Sequence, residues 1–381
     1  MKFLLTLFLL AVLAAGIGAA WLWYGITQPY RGFPADGVFV DVPHGTSSRA
    51  VAHLLESNGV VRSAFAFELY ARRKRPRNVQ AGEYFFDKAV SARDVFWKLA
   101  KGDVYEQPFT VKEGDTMFDI ARELEKAKLI KHEEFLAAAA DPTPVHDIAP
   151  SAPSLEGFLF PATYQLSRHP AASDLTANMV KKFKEEWSAI QSEGPPANAA
   201  LASATETPSS PQDPAAAADP RPLLAIVTLA SLVERETPRP EERPLVAGVF
   251  SNRLEKHMAL QCDPTVIYAL ERARKYRGSL SSKDLKFDSL YNTYEHSGLP
   301  PGPIGNPGAE SLRAALQPAK TDYLYFVANT HGGHFFAGTL AEHNRNVLKY
   351  RRLLEGGSAD EPAPVPAANH ATAAHRKGAT R

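Results

Sequence analysis

Residues 223–254 read LLAIVTLASLVERETPRPEERPLVAGVFSNRL. Ile226, Leu229, Ala230 and Val233 recur at i, i+3, i+4 and i+7, the spacing of one helical face. Pro238 cannot continue a helix, so the first one should end beside it. Val246, Val249, Phe250 and Leu254 set out the buried stripe of a second helix by the same rule. Together with short strand patterns elsewhere, these helices give a fold class of α+β, with a mixed α/β domain around this segment.

Glu234 and Glu236 fall at the C-terminal end of the first helix. Two residues apart is about 200° on a helix, so both cannot point into one site. The helix C-terminus is electronegative and disfavours an anion. A partly buried carboxyl there should hold its proton above the usual pKa of about 4.3. A general acid at neutral pH needs that property. The alternative is a pair of surface glutamates facing Arg235, Arg239 or Arg243.

Other stretches supply polar and aromatic groups. MALQCDPTVIYAL, 258–270, places Gln261 and Asp263 before a proline-started helix, with Asp263 suited to an N-cap. YNTY, 291–294, flanks Asn292 and Thr293 with Tyr291 and Tyr294. SGLPPGPIGNPG, 297–308, is a rigid loop with little freedom to lose on binding. LEGFLFPATY, 155–164, adds Glu156 and an aromatic cluster. Sugar rings bind by aromatic stacking and by hydrogen bonds from amides and carboxylates, so this set suits a polysaccharide better than a nucleotide. GxGxxG, GxxxxGKS, HExxH and GxSxG patterns are absent from the sequence. His331, His334, Glu342 and His343 cluster in HGGHFFAGTLAEHN, but the segment reads as a hairpin followed by a helix, which need not bring them together. No metal site and no cofactor are expected.

The 381 residues allow about two domains. Lys and Arg number 43 against 42 for Asp and Glu, so no global field favours nucleic acid. Cys262 is the single cysteine, which rules out an intrachain disulfide. Charged residues are 22%, too many for a polytopic membrane protein. The exception is Phe3–Ile26, which carries no charge. About 20 apolar residues cross a bilayer, whereas a signal-peptide core usually has about 7–15. Residues 1–30 are therefore read as a cytoplasmic stub and transmembrane anchor, the alternative being a signal cleaved near Ala19 and Ala20. Lys2 favours a cytoplasmic N-terminus and Arg31 weakens that bias.

Residues 31–150 carry a repeat at an offset of 69: Val42, Gly45, Val51, Leu55 and Val61 match Val111, Gly114, Ile120, Leu124 and Ile130. Each copy reads as a strand, a glycine turn and two helices, and AGEYFF, 81–86, closes the first with a strand. That order is the layout of a small LysM-like glycan-binding module; a generic βα unit is the alternative. RRKRPR, 72–77, reads as a solvated charge run. Residues 194–221 and 356–381 are rich in Ala and Pro and lack large apolar groups, so they are expected to be a disordered insertion and a disordered tail. The catalytic region is then 151–355.

EGFLFPATY, ASLVERET, VFSNRL, LQCDPTVIYAL, YNTY, GLPPGPIGNPG, YLYFVA and EHN, in that order, resemble the YceG-like family of endolytic murein transglycosylases over about Val40–Tyr350. The resemblance implies an inner-membrane anchor, a LysM-like subdomain and a catalytic domain in the periplasm. It implies cleavage within nascent peptidoglycan strands at the MurNAc–GlcNAc bond, leaving 1,6-anhydro ends, and so an end to chain elongation. Glu236, the second acid of the family's acid motif, is then catalytic; Glu156, Gln261, Asp263, Asn292, Thr293 and Tyr294 fall in its cleft motifs. Glycan strands are the implied partner, with cell-wall synthases as further candidates. Cys262 departs from the family's usual Ser or Thr, and the insertion is longer than usual. Such a reaction manages with one carboxyl, because the attacking hydroxyl belongs to the substrate. The rival readings are a hydrolase with Asp263 as second carboxylate and a non-catalytic glycan-binding protein.

Overall fold

The computed structural model describes residues 2–74, 79–193 and 222–355. The segments 194–221 and 356–381, and residues 75–77 of the basic run, lie outside the described residues. The chain forms two compact units. One gathers the described residues up to Thr110 with Lys126–Ile130 and Thr163–Ala171; the other gathers Val111–Glu125, Lys131–Ala162 and the described residues from Ala172 onward.

The first unit opens with α1, Lys2–Thr27. Its span Phe3–Thr27 has a mean hydropathy of 2.5 and is unburied, as the charge-free run requires. At about 1.5 Å per residue it is longer than a hydrocarbon core of about 30 Å. The Arg62 guanidinium lies 5.1 Å from the Tyr24 ring and 4.7 Å from the Tyr30 ring, pinning the helix exit to the unit. Beyond it, β1 (Val38–Val42) pairs antiparallel with β2 (Gly82–Phe86), Val40 opposite Tyr84. Between them lie α2 (Ser48–Ser57) and α3 (Ala64–Arg73), followed by α4 (Ala92–Lys101). Ser47, Ser63 and Ser91 cap the three helices by accepting amide hydrogen bonds. Val40, Leu55, Phe67, Tyr84, Phe96 and Leu99 form the core. The strand–helix–helix–strand order expected of the first repeat copy is therefore formed. β3 (Gln107–Thr110) pairs antiparallel with β4 (Thr163–Leu166). The second copy is divided between units, since its apolar helix α5 (Met117–Lys126) falls almost wholly in the other.

In the second unit, α6 (His132–Ala140) and α7 (Ala172–Ser192) precede α8 (Leu223–Glu236). All eight residues from Ile226 to Val233 are buried, so α8 is enclosed rather than one-faced. The enclosing elements include α9 (Arg243–Glu255), α10 (Asp263–Arg272) and α11 (Ala309–Leu316). α8 ends at Glu236 and Thr237 is its C-cap, beside Pro238 as the spacing predicts. The stripe expected on α9 is corrected at one position: Arg253 is buried and Leu254 only partly so. β5 (Tyr325–Ala328) and β6 (His334–Ala337) form the expected hairpin, and α12 (Leu340–Leu354) follows behind a Thr339/Glu342 capping box.

The Pro/Gly loop is not a surface loop along its length. Residues 302–308 are buried. Asn306 Oδ1 accepts from the Gly157 and Leu159 amides at 2.8 and 3.0 Å, and its Nδ2 donates to Asp115 O and Glu156 Oε1, both at 2.9 Å. Gly157 has φ +88°, and a Cβ there would sit 2.4 Å from Pro303 Cγ, so only glycine fits.

Candidate active site

Glu236 emerges at the C-terminal end of α8, partly exposed. Burial pushes its carboxyl above the ordinary carboxylate range. A hydrogen bond with the Cys262 thiol opposes that shift, the Asp263 charge adds to it, and His334 and Arg253 oppose it. The expected direction is found, with desolvation as the main cause. Cys262 is 1% exposed, and burial with the neighbouring Glu236 raises its pKa, which keeps the thiol a neutral donor.

The Gln261–Asp263 turn is set by backbone and hydroxyl groups. Gln261 has φ +52°, a left-handed conformation unusual for a residue with a side chain. Its amide donates to Thr293 O at 3.1 Å, and the Cys262 amide donates to Thr293 Oγ1 at 3.0 Å. Thr265 Oγ1 lies 2.9 Å from Thr293 Oγ1 and donates to Cys262 O at 2.6 Å. The turn leaves Gln261 and Asp263 exposed. Asp263 is not the N-cap that its position suggests; Cys262 is the cap residue. The Asp263 carboxylate instead accepts from the Tyr294 hydroxyl at 2.5 Å.

The site residues read from the sequence therefore separate into two sets. Glu236, Asp263 and Tyr294 are brought together, with the Gln261 backbone in the same turn. Glu156, Asn292 and Thr293 are 1%, 0% and 1% exposed and act as supports. Both Glu156 oxygens accept from the Met117 amide at 3.1 Å, so this carboxyl caps the start of α5. Burial lifts its pKa to about 8, against the hydrogen bond from Met117. Asn292 Nδ2 donates to Leu285 O and Phe287 O at 3.0 and 2.9 Å, and its Oδ1 accepts from the Tyr294 amide at 3.0 Å, which orients the last tyrosine.

Glu234 is no surface glutamate. Its Oε1 lies 2.7 Å from Arg243 Nη2, with side chains 5% and 6% exposed. Its Oε2 accepts from the Gly308 amide at 2.9 Å, at the start of α11. The two glutamates of the motif have different partners, as their helical separation requires.

Two residues escaped the sequence reading. Arg253 donates to Leu324 O at 2.6 Å and to Ala259 O and Leu260 O at 3.1 and 2.9 Å, tying the hairpin to the chain before Gln261. Glu242 lies 2.7 Å from His334 Nδ1. An arginine in an apolar stripe and the second of two adjacent acids after ERET were the available signals. Of the other clustered residues, Glu342 serves the α12 cap and His343 stacks on Tyr325 at 5.2 Å.

Residues 40–349 match the model of the YceG-like family. An endolytic murein transglycosylase of Bacillus subtilis (strain 168) is 34% identical over 352 residues, which are 88% of this chain and 91% of that protein. A second protein of that name, from Streptococcus pneumoniae serotype 2, is 30% identical over 82% of this chain and 58% of its own longer length. A crystal structure of a YceG-like protein from Listeria monocytogenes aligns with a TM-score of 0.50 at 31% identity, covering 82% of this chain and 99% of that one. The length of the family match, and a relative this similar across 91% of its own length, place the chain in the YceG-like family.

Proposed function

We propose that this chain is a membrane-anchored endolytic murein transglycosylase. The reading is carried by one observation: Glu236, partly exposed at the end of α8 beside an exposed polar turn, is biased toward its acid form by desolvation. The names of the similar proteins support the same activity.

In this reading Glu236 donates its proton to the glycosidic oxygen as the C1–O bond to the leaving sugar breaks. The resulting carboxylate takes the proton of the C6 hydroxyl of the same muramyl sugar, and O6 bonds to C1. Glu236 ends protonated, no water is consumed, and the strand ends in 1,6-anhydroMurNAc. The nucleophile is tethered to its target, which supplies the high effective concentration of an intramolecular reaction. Asp263 and Tyr294 contact the sugar at the rim, and the Cys262 thiol orients the acid. Glu156, Asn292 and Thr293 hold the site in place without touching substrate. The anchor puts the enzyme at the inner membrane with its folded part in the periplasm, where cell-wall synthases make the strands. The first unit grips glycan in a LysM-like way, and no cofactor is required.

Asp263 acts electrostatically on Glu236, so a hydrolase with Asp263 as the second carboxylate is the second reading. Mass spectrometry of fragments released from purified peptidoglycan separates the two. Anhydro ends are expected; reducing ends throughout would replace the transglycosylase with a muramidase.

A further inference from the structure

β6 begins at His334, whose ring is engaged through one nitrogen. Nδ1 lies 2.7 Å from Glu242 Oε2, and the His334 amide donates to Glu242 Oε1 at 3.0 Å. The side chains are 12% and 11% exposed. A carboxylate against Nδ1 requires the proton on that nitrogen, so a neutral ring has its lone pair on Nε2. Phe326 meets the ring edge-on at 5.2 Å and fixes its plane. Among the described residues no protein group hydrogen-bonds Nε2.

Both edges of this hairpin are tied to the catalytic segments. Glu242 Oε2 also accepts from the Thr237 hydroxyl at 3.4 Å, and Thr237 directly follows Glu236. On the other side, Arg253 joins Leu324, just before β5, to Ala259 and Leu260, just before Gln261. A ring needed only to satisfy Glu242 would use Nδ1 and the main-chain amide. Nε2 is left over on a ring joined through Glu242 to Thr237, the residue that follows Glu236.

We propose that His334 is a further active-site residue, whose Nε2 accepts a hydrogen bond from a hydroxyl or amide N–H of the sugar at the bond that Glu236 protonates. Glu242 is its positioning residue, fixing the tautomer and the ring orientation as a carboxylate does for a metal-bound histidine. The proposal rests on the glycan-cleaving reading above.

Two substitutions separate this role from a structural one. His334→Asn places an amide N–H where Nδ1–H stood, keeping the bond to Glu242 while deleting Nε2. Glu242→Gln keeps the shape and removes the charge that fixes the tautomer. Initial rates of total bond cleavage are measured across strand concentrations, with melting curves for each variant. His334→Asn is expected to melt like the wild type while kcat falls by about 10-fold, the scale of one lost hydrogen bond. Glu242→Gln is expected to lower kcat similarly. Wild-type kcat and KM in a folded His334→Asn enzyme would overturn the proposal. Should that variant not fold, wild-type kcat in Glu242→Gln would overturn it equally. Because total cleavage is scored, a finding of reducing rather than anhydro ends would defeat the transglycosylase reading and leave this test intact.

Discussion

Glu236 and Glu156 both have a pKa raised by desolvation, yet Glu156 is fully buried and Glu236 partly exposed. Glu236 adjoins an exposed turn and can exchange its proton with a ligand. Glu156 is enclosed by Met117 and Asn306 and cannot. Glu236→Gln should keep the fold, by circular dichroism, while fragment release falls by about 10²–10⁴, the usual worth of general acid–base catalysis. Near-normal release would remove Glu236 from the mechanism. Wild-type activity should also decline on the alkaline side, since the acid form is lost as pH rises through a raised pKa. Glu156 makes a prediction about stability. Its folded pKa of about 8 exceeds the ordinary 4.5, so the folded chain binds more protons between those values. Its contribution is full below pH 4.5 and is lost as pH rises to about 8. Melting temperature should fall across that window, and Glu156→Gln should flatten the slope. An unchanged slope would mean the carboxyl titrates normally.

At the scale of elements, α8 carries the glutamate we propose as the acid and a second one that serves architecture. Glu234 pairs with buried Arg243 and meets the start of α11 through the Gly308 amide. Removing one partner of a buried ion pair leaves an uncompensated charge, which costs about 3–5 kcal/mol. Arg243 retains Glu113 at 3.2 Å, which places Glu234→Gln at the lower end. That variant should melt well below the wild type, while its folded fraction loses less than about 10-fold in kcat, far less than a lost general acid. Loss of catalysis at wild-type stability would mean that Glu234 is the acid. The contrast also marks the limit of helical spacing as a guide. A rotation of about 200° separates the two side chains, but it does not say which one meets solvent.

For the whole molecule, the charge-free first helix predicts where the protein resides. The full chain should stay with membranes through a high-salt wash and keep its own N-terminus. Removing residues 1–28 should release a folded protein that still cleaves strands. A mature chain beginning near residue 21 that washes free in salt would make the segment a cleaved signal. The Arg62 contacts with Tyr24 and Tyr30 give the helix a fixed exit from the first unit, a feature suited to a retained anchor.

Apolar periodicity, the breaker Pro238, glycine turns and the internal repeat located α8, its end, α9, the β5–β6 hairpin and the elements of the first repeat copy. These are local properties, set by spacing and by residues that cannot extend a helix. The order of motifs located the family and singled out Glu236 as the proposed acid. What the sequence could not assign was the inward or outward disposition of its polar residues. Glu156, Asn292 and Thr293 resemble cleft residues by composition and are buried supports in the fold. Asn306 meets Glu156 across 150 positions, and Arg253 meets Leu324 across 71. A polar side chain becomes structural when distant segments desolvate it and satisfy its hydrogen bonds. Spacing along the chain carries no record of those distant partners, so tertiary packing alone decided that Glu236 adjoins an open turn while Glu156 and Glu234 are closed in.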